Sequence, residues 1–169
     1  MAFMTSNLAT GTRTARPVLS SVAMRLLRSR NYEALLTGAM MRAVSLGNCV
    51  WDVGANVGFY ARQFAHAVGA FGHVYAFEPR KKTREMIELG GLDNITVPFA
   101  LSKSRGTFWL NRGEQNDGAT ARLTDCGSEQ VHIETGDYFT ASRTARSPNL
   151  IKIDIELSPQ TDEIRKILR

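Results

Sequence analysis

The chain has 169 residues, of which 43% are hydrophobic and 22% charged, a composition typical of a globular protein and unlike that of disordered or collagen-like chains. Lys and Arg together number 21 against 16 Asp and Glu, but this excess lies within residues 1–48, where six Arg oppose one Glu. Residues 49–169 are balanced in charge, which disfavours a nucleic-acid partner, and no apolar run approaches the ~20 residues of a membrane span.

The first quarter of the chain combines a tail and a helix. Residues 1–17 are rich in Ser, Thr and Arg and contain no acid, so they predict a flexible basic tail ahead of a single domain over residues 18–169. Within that domain, apolar side chains recur near a period of 3.6 over residues 19–46, which predicts a helix. Cys49 and Cys126 belong to no disulfide or metal spacing, so we expect two reduced thiols in a cytoplasmic protein.

The next segments alternate between strands and helices. Short apolar runs predict strands at Cys49–Val53, His73–Phe77 and Ile95–Leu101, and amphipathic segments predict helices at Phe59–Val68 and Arg80–Leu89. Such an order predicts an α/β fold with a parallel sheet, right-handed crossovers and helices on both faces.

The second half of the chain interrupts this alternation. Two strand-like runs within residues 103–140, Gly106–Leu110 and Val131–Thr135, predict a β excursion in place of a helical crossover. Leu150–Ile155 then predicts the fourth main strand, and Thr161–Arg169 a final helix.

A glycine turn, Gly54-Ala55-Asn56-Val57-Gly58, joins the first strand to its helix and lets the backbone approach a ligand closely. Dinucleotide-binding proteins have G-x-G-x-x-G at this place, whereas Asn56 stands where the second glycine would be. Asp52, just before the turn, would repel a pyrophosphate and attract a cationic group. A nicotinamide dinucleotide is therefore disfavoured, while a purely structural turn stays an alternative.

S-adenosylmethionine has the required chemistry, because its amino and sulfonium groups are cationic and it carries no phosphate. Glu78 ends the second strand, 24 residues after Gly54. This separation is close to the ~20 residues at which an acid binds ribose hydroxyls in nucleotide-binding folds. The turn and the two acids together predict an S-adenosylmethionine site.

Five segments in order resemble the motifs of FkbM-type S-adenosylmethionine-dependent methyltransferases: residues 50–60, 74–79, 99–102, 117–123 and 150–156. The resemblance covers about residues 45–157 and implies a Rossmann-like class I methyltransferase fold. The implied activity is O-methylation of a hydroxyl, often on a sugar or a glycosylated metabolite.

The resemblance also implies a role for particular residues of the cofactor site. Glu78 would bind the ribose, and Ala100 and Leu101 would lie near the adenine. The methionine end would lie against Asp52, Gly54, Ala55, Asn56 and Gly58.

The resemblance ends early, because a complete fold of this class has strands in the order 3-2-1-4-5-7-6, and strands five to seven are missing by our count. Strand four would then be an open edge, which is prone to pair with another chain. Three alternatives stay open: the chain is a fragment, it is a truncated gene product, or a partner covers the edge, including a second copy of the chain. The second functional hypothesis is accordingly a non-catalytic module that binds S-adenosylmethionine or a partner.

Asp154 and Glu156 alternate onto one side of the fourth strand, near its carboxyl end, where ligands bind in open α/β sheets. An aliphatic hydroxyl needs its proton removed, so we predict Asp154 as the base or orienting group and Glu156 as its assistant. A divalent ion held by Glu156 is an alternative, although no ligand spacing supports a metal site. Both acids could instead cap the next helix or face solvent, and Lys152 shares their side and could neutralise them.

Overall fold

The computed structural model describes residues 2–5, 32–91, 96–111, 122–124 and 126–155. The helices are α1 (Tyr32–Ala43), α2 (Phe59–Val68), α3 (Lys81–Leu89) and α4 (Gly136–Ala141). The strands are β1 (Ala2–Thr5), β2 (Cys49–Val53), β3 (His73–Phe77), β4 (Thr96–Val97), β5 (Phe99–Leu101), β6 (Gly106–Asn111), β7 (Arg122–Thr124), β8 (Glu129–Glu134) and β9 (Leu150–Ile153). No helix within these residues is both long enough and apolar enough to cross a membrane.

The main sheet has five strands in the order β1-β9-β2-β3-β4. β2 is parallel to both β3 and β9, and β3 is parallel to β4. The parallel strands thus follow the predicted order 3-2-1-4, and the α/β prediction is confirmed. Parallel strands end at the same edge of a sheet, so the residues after β2, β3 and β9 lie together.

Helices cover both faces of the main sheet, as predicted. Met40 of α1, Phe64 of α2 and Ile87 of α3 pack into one apolar cluster on the first face. On the second face, Phe139 of α4 packs edge-on against Phe77 of β3, with ring centroids 5.3 Å apart. Burial on both faces is typical of parallel strands, and all five residues of β2 are buried.

The predicted third strand divides in two at Pro98, so the prediction of one continuous strand over Ile95–Leu101 was wrong. β4 stays in the main sheet, whereas β5 belongs to a second sheet. Proline has no N–H to donate to a ladder of hydrogen bonds, so Pro98 stands where the chain changes sheets.

The second sheet, in the order β5-β8-β6-β7, confirms the predicted β excursion. β6 is antiparallel to β7 and β8, while β5 is parallel to β8. Helix α4, which follows β8, was not predicted. Its signals were Thr135, whose hydroxyl accepts a hydrogen bond from the Tyr138 amide at 3.2 Å, and Asp137 in the first turn.

The edge of the fourth main strand is covered, contrary to the sequence expectation. β1 pairs antiparallel with β9, from Ala2 opposite Ile153 to Thr5 opposite Leu150. Ala2–Thr5 is thus a strand and not part of a flexible tail, and the open edge expected to support self-association is occupied. Residues 6–17, the first part of the predicted 19–46 helix (residues 19–31) and the predicted Thr161–Arg169 helix lie outside the described residues.

Candidate functional site

The turn between β2 and α2 has the backbone geometry that its glycines predict. Gly54 and Gly58 have φ angles of 75° and 81°, and Asn56, at 49°, is one of two non-glycine residues with positive φ within the described ranges. A Cβ atom on Gly54 would lie 2.2 Å from the carbonyl oxygen of Asp154. Only glycine therefore lets the turn pass this close to the end of β9.

The amide groups of the turn are engaged inside the protein. The N–H groups of Gly54 and Ala55 both donate to the carbonyl oxygen of Phe77, at 3.0 and 3.2 Å. The Asn56 amide donates to Oε2 of Glu78 at 3.0 Å. Backbone amides are the groups that bind phosphates at such turns, so these contacts support the sequence argument against a pyrophosphate ligand.

Glu78 follows β3 and lies directly beside the turn. Its Oε1 accepts a hydrogen bond from the Arg80 amide at 3.0 Å, while Oε2 is bonded to Asn56. Burial raises the pKa of this carboxyl, and the two amides oppose that rise. Each carboxylate oxygen has a second lone pair, so Glu78 can still accept hydrogen bonds from ligand hydroxyls.

Asp52 does not present an open carboxylate to a ligand. It lies opposite Lys152 in the β2–β9 ladder, and its Oδ1 is 2.8 Å from Lys152 Nζ. Both side chains are buried, with 0% of Asp52 and 2% of Lys152 exposed. Burial raises the pKa of Asp52, and the charge of Lys152 opposes that rise. In the structure the Asp52 carboxylate is therefore enclosed and paired with Lys152, and its contact with the cationic group of a ligand stays a prediction.

Lys152 connects several parts of the site, whereas the sequence predicted only that it shares a side with Asp154 and Glu156 and could neutralise them. Its ammonium group donates to the carbonyl oxygen of Gly54 at 3.2 Å and lies 5.1 Å from the ring centre of Tyr60, in the first turn of α2. The available signal was a lysine in the otherwise apolar strand Leu150–Ile153. Because Lys152 is remote in sequence from Asp52 and Gly54, the sequence did not indicate that it contacts them.

The remaining predicted site residues are Asp154, Glu156, Ala100 and Leu101, and they do not all lie beside the turn. Asp154 lies at the carboxyl end of β9, with 51% of its side chain exposed and Oδ2 3.8 Å from Lys152 Nζ. Glu156 lies outside the described residues. Ala100 and Leu101 are in β5, in the second sheet, where Leu101 is buried in the apolar core near Phe77.

The structure thus brings together the turn, Glu78 and Asp154 at the carboxyl edge of a parallel sheet. Across residues 2–5, 32–91, 96–111, 122–124 and 126–155, no three His, Cys, Asp or Glu side chains are grouped so as to hold a metal ion. A glycine turn, a buried acid and a half-exposed acid thus lie at one edge of an α/β sheet.

Comparison with known proteins identifies the family. Residues 52–156 match the family described as methyltransferase FkbM domain, a range that includes the turn, Glu78 and Asp154. The chain belongs to this family. Hexuronic acid methyltransferase AglP of Haloferax volcanii is 26% identical over 111 residues, which cover 63% of this chain. The chain spans 45% of the length of that relative.

Two solved structures show limited similarity to the chain. A proposed rRNA-methylase from Clostridium thermocellum is 20% identical, with a TM-score of 0.39, over 44% of this chain and 45% of its own. A SAM-dependent methyltransferase from Aquifex aeolicus is 18% identical, with a TM-score of 0.33, over 50% of this chain and 56% of its own. These TM-scores are too low to identify a shared fold.

Proposed function

We propose that this chain binds S-adenosylmethionine and takes part in the transfer of its methyl group to a hydroxyl. The observation that carries the proposal is the hydrogen bond that the Asn56 amide donates to Glu78, which joins the acid after β3 to the turn after β2. The edge of the sheet thereby offers an acid for ribose hydroxyls, while the amides of Gly54 and Ala55 are engaged by Phe77. Membership of a methyltransferase family supports the same ligand.

Each group of residues has a defined task in this proposal. The turn Gly54, Ala55, Asn56 and Gly58 would hold the methionine end, and Glu78 the ribose. Ala100 and Leu101 keep the role near the adenine that the family resemblance implies. The cofactor supplies a methyl group already activated by the sulfonium, so alignment of the acceptor accounts for much of the rate acceleration, up to about 7–11 kcal/mol in well-oriented reactions.

The acceptor that we propose is the hydroxyl of a sugar or of a glycosylated metabolite. AglP, by its name, acts on a hexuronic acid, and its similarity to this chain supports a sugar acceptor. Asp154 is half exposed at the edge where an acceptor would approach, and Asp154 and Glu156 remain the predicted base and its assistant. A divalent ion in this role and a cytoplasmic location also remain predictions.

Calorimetry with S-adenosylhomocysteine and with NAD tests the proposed ligand. We expect S-adenosylhomocysteine to bind and NAD to bind far more weakly. Glu78→Gln should weaken S-adenosylhomocysteine binding about tenfold or more, because a hydrogen bond to a charged group contributes roughly 1.5–3 kcal/mol. Glu85→Gln removes the same charge from the exposed face of α3, where Glu85 faces Lys81 at 3.9 Å, and should leave binding unchanged. Preferential binding of NAD would refute the proposal.

A panel of acceptors then tests the transfer itself. The chain is incubated with S-adenosylmethionine and with uronic acids, neutral sugars and a non-sugar alcohol, and the S-adenosylhomocysteine released is measured. Release with a sugar acceptor supports the enzyme. Cofactor binding without release from any acceptor would favour the non-catalytic binding module instead.

A further inference from the structure

We propose that the negative charge which this site offers to the cationic part of its ligand is carried by Asp154, because Lys152 neutralises Asp52. The inference rests on the proposed function, since it concerns a ligand with a cationic amino or sulfonium group. It assigns Lys152 as a positioning residue that decides which of two carboxylates the ligand meets.

The first step concerns the charge of Asp52. Its carboxylate and the Lys152 ammonium are 2.8 Å apart, and both are removed from water. At this separation and away from solvent, two opposite charges attract each other strongly and leave little net field outside the pair. Asp52 therefore contributes almost no attraction at the surface of the turn, and no part of its side chain is exposed to a ligand.

The second step concerns the charge that remains. Asp52, Lys152 and Asp154 together carry one net negative charge if all three are ionised. Lys152 Nζ is engaged at 2.8 Å by Asp52 and at 3.2 Å by the Gly54 carbonyl, while Asp154 Oδ2 is farther away, at 3.8 Å. Of the two carboxylates, Asp154 is therefore the less compensated one, and its side chain is 51% exposed.

The third step concerns where Asp154 lies relative to the turn. Its amide donates to the carbonyl oxygen of Val53 at 2.9 Å, and its own carbonyl oxygen packs against Gly54. Asp154 thus borders the start of the turn, where the methionine end of the ligand is proposed to lie. A carboxylate in that place borders the cationic end of the proposed ligand.

The affinity of the Asp154→Asn variant for S-adenosylmethionine distinguishes this inference from the predicted base role of Asp154. A base acts on the acceptor, so Asp154→Asn would leave cofactor binding unchanged if that were its only role. If Asp154 attracts the ligand, the same substitution should weaken binding of S-adenosylmethionine about tenfold, because a charge-assisted contact is lost. Asp137→Asn, an equivalent substitution at the exposed start of α4, serves as the matched control.

The double variant Asp52→Asn with Lys152→Gln tests the neutralisation. Both charges are removed, while the glutamine amide keeps donors for the Gly54 carbonyl. We expect it to lose less affinity for S-adenosylmethionine than Asp154→Asn does, because the charge of Asp154 is still present and a buried ion pair can often be replaced by uncharged groups. Each single substitution leaves one buried charge without its partner, so each should lower the melting temperature, and the double variant should largely restore it.

The outcomes separate the two proposals. Unchanged binding in Asp154→Asn, or a loss in the double variant as large as in Asp154→Asn, overturns the inference. If the unmodified chain binds no S-adenosylmethionine at all, the proposed function fails, and the melting temperatures still decide whether Lys152 neutralises Asp52. S-adenosylhomocysteine, which keeps the amine and lacks the sulfonium charge, distinguishes the two cationic groups: a loss shared by both ligands identifies the amine.

Discussion

The main sheet and the second sheet bury their residues in different ways. Every residue of β2 is buried, because helices and the second sheet cover both of its faces. In β8, buried Val131 and Ile133 alternate with exposed Gln130 and His132. A strand covered on two sides has no exposed position for a charge, so any charged residue in it needs a partner inside the protein.

The two sheets also differ in how they pair their buried charges. Asp52 of β2 is paired with Lys152 of β9, and both are enclosed. In the second sheet, Glu134 is buried, but its partner Arg105, at 2.9 Å, is 66% exposed. Among the described residues, the main sheet thus carries both members of a buried ion pair on its own strands, and Lys152 of this pair also binds the glycine turn.

The largest effect should come from the contact between the turn and β9. Gly54→Ala would combine a left-handed backbone with a Cβ atom 2.2 Å from the Asp154 carbonyl oxygen, and should cost roughly 3–5 kcal/mol of unfolding free energy. Gly47 also has a positive φ, of 81°, but open space around its Cβ position, so Gly47→Ala should cost only about 1–2 kcal/mol. Urea unfolding measures the loss of unfolding free energy in each variant. Equal losses would show that the close approach of the turn to β9 has no energetic importance.

Two buried isoleucines provide a matched comparison of the sheets. Ile153 of β9 and Ile133 of β8 are exposed by only 3% and 4%, so truncation to alanine should cost roughly 2–4 kcal/mol in either place. Ile153 adjoins Asp154, so Ile153→Ala should also weaken S-adenosylhomocysteine binding, whereas Ile133→Ala should not. Chemical unfolding measures the free energy of unfolding of each variant, and calorimetry on the same samples measures its affinity for S-adenosylhomocysteine. A binding loss in both variants would mean that the second sheet also supports the ligand site.

The smallest effect concerns the pH dependence of stability at Glu78. Burial raises its pKa in the folded chain above the ordinary value of 4.5, so the folded state holds this proton more tightly than the unfolded state does. The stability linked to Glu78 is therefore complete below pH 4.5 and is lost as the pH rises through the raised pKa. Relative to Glu78→Gln, the unmodified chain should become less stable over that interval. Urea unfolding of both chains at several pH values across that interval measures the difference in their unfolding free energies. A difference that stayed constant with pH would contradict this expectation.

The elements that position the site could be predicted from short stretches of sequence. The apolar run Cys49–Val53, the glycine turn and the amphipathic segment Phe59–Val68 were assigned with the bounds that the structure has. The strand His73–Phe77 was assigned in the same way. Their signals are periodicity and turn chemistry, which neighbouring residues contain in full.

Features that depend on distant segments were not predicted. Nothing near Ala2–Thr5 indicates that it pairs with β9 and closes the edge of the main sheet. Pro98 was visible in the sequence, but its position between two sheets follows from the pairing of β5 with β8.

The sequence by itself determined the order of the main strands, the glycine turn and the acids at the carboxyl ends of three strands, Asp52, Glu78 and Asp154. Only the tertiary structure decided which acids are enclosed and which are exposed: Asp52 is buried, whereas Asp154 is half exposed. Asp52 and Lys152 are 100 residues apart in the chain and 2.8 Å apart in space. The availability of a charge depends on desolvation and on its nearest partner, and both are set by packing between segments that are remote in sequence.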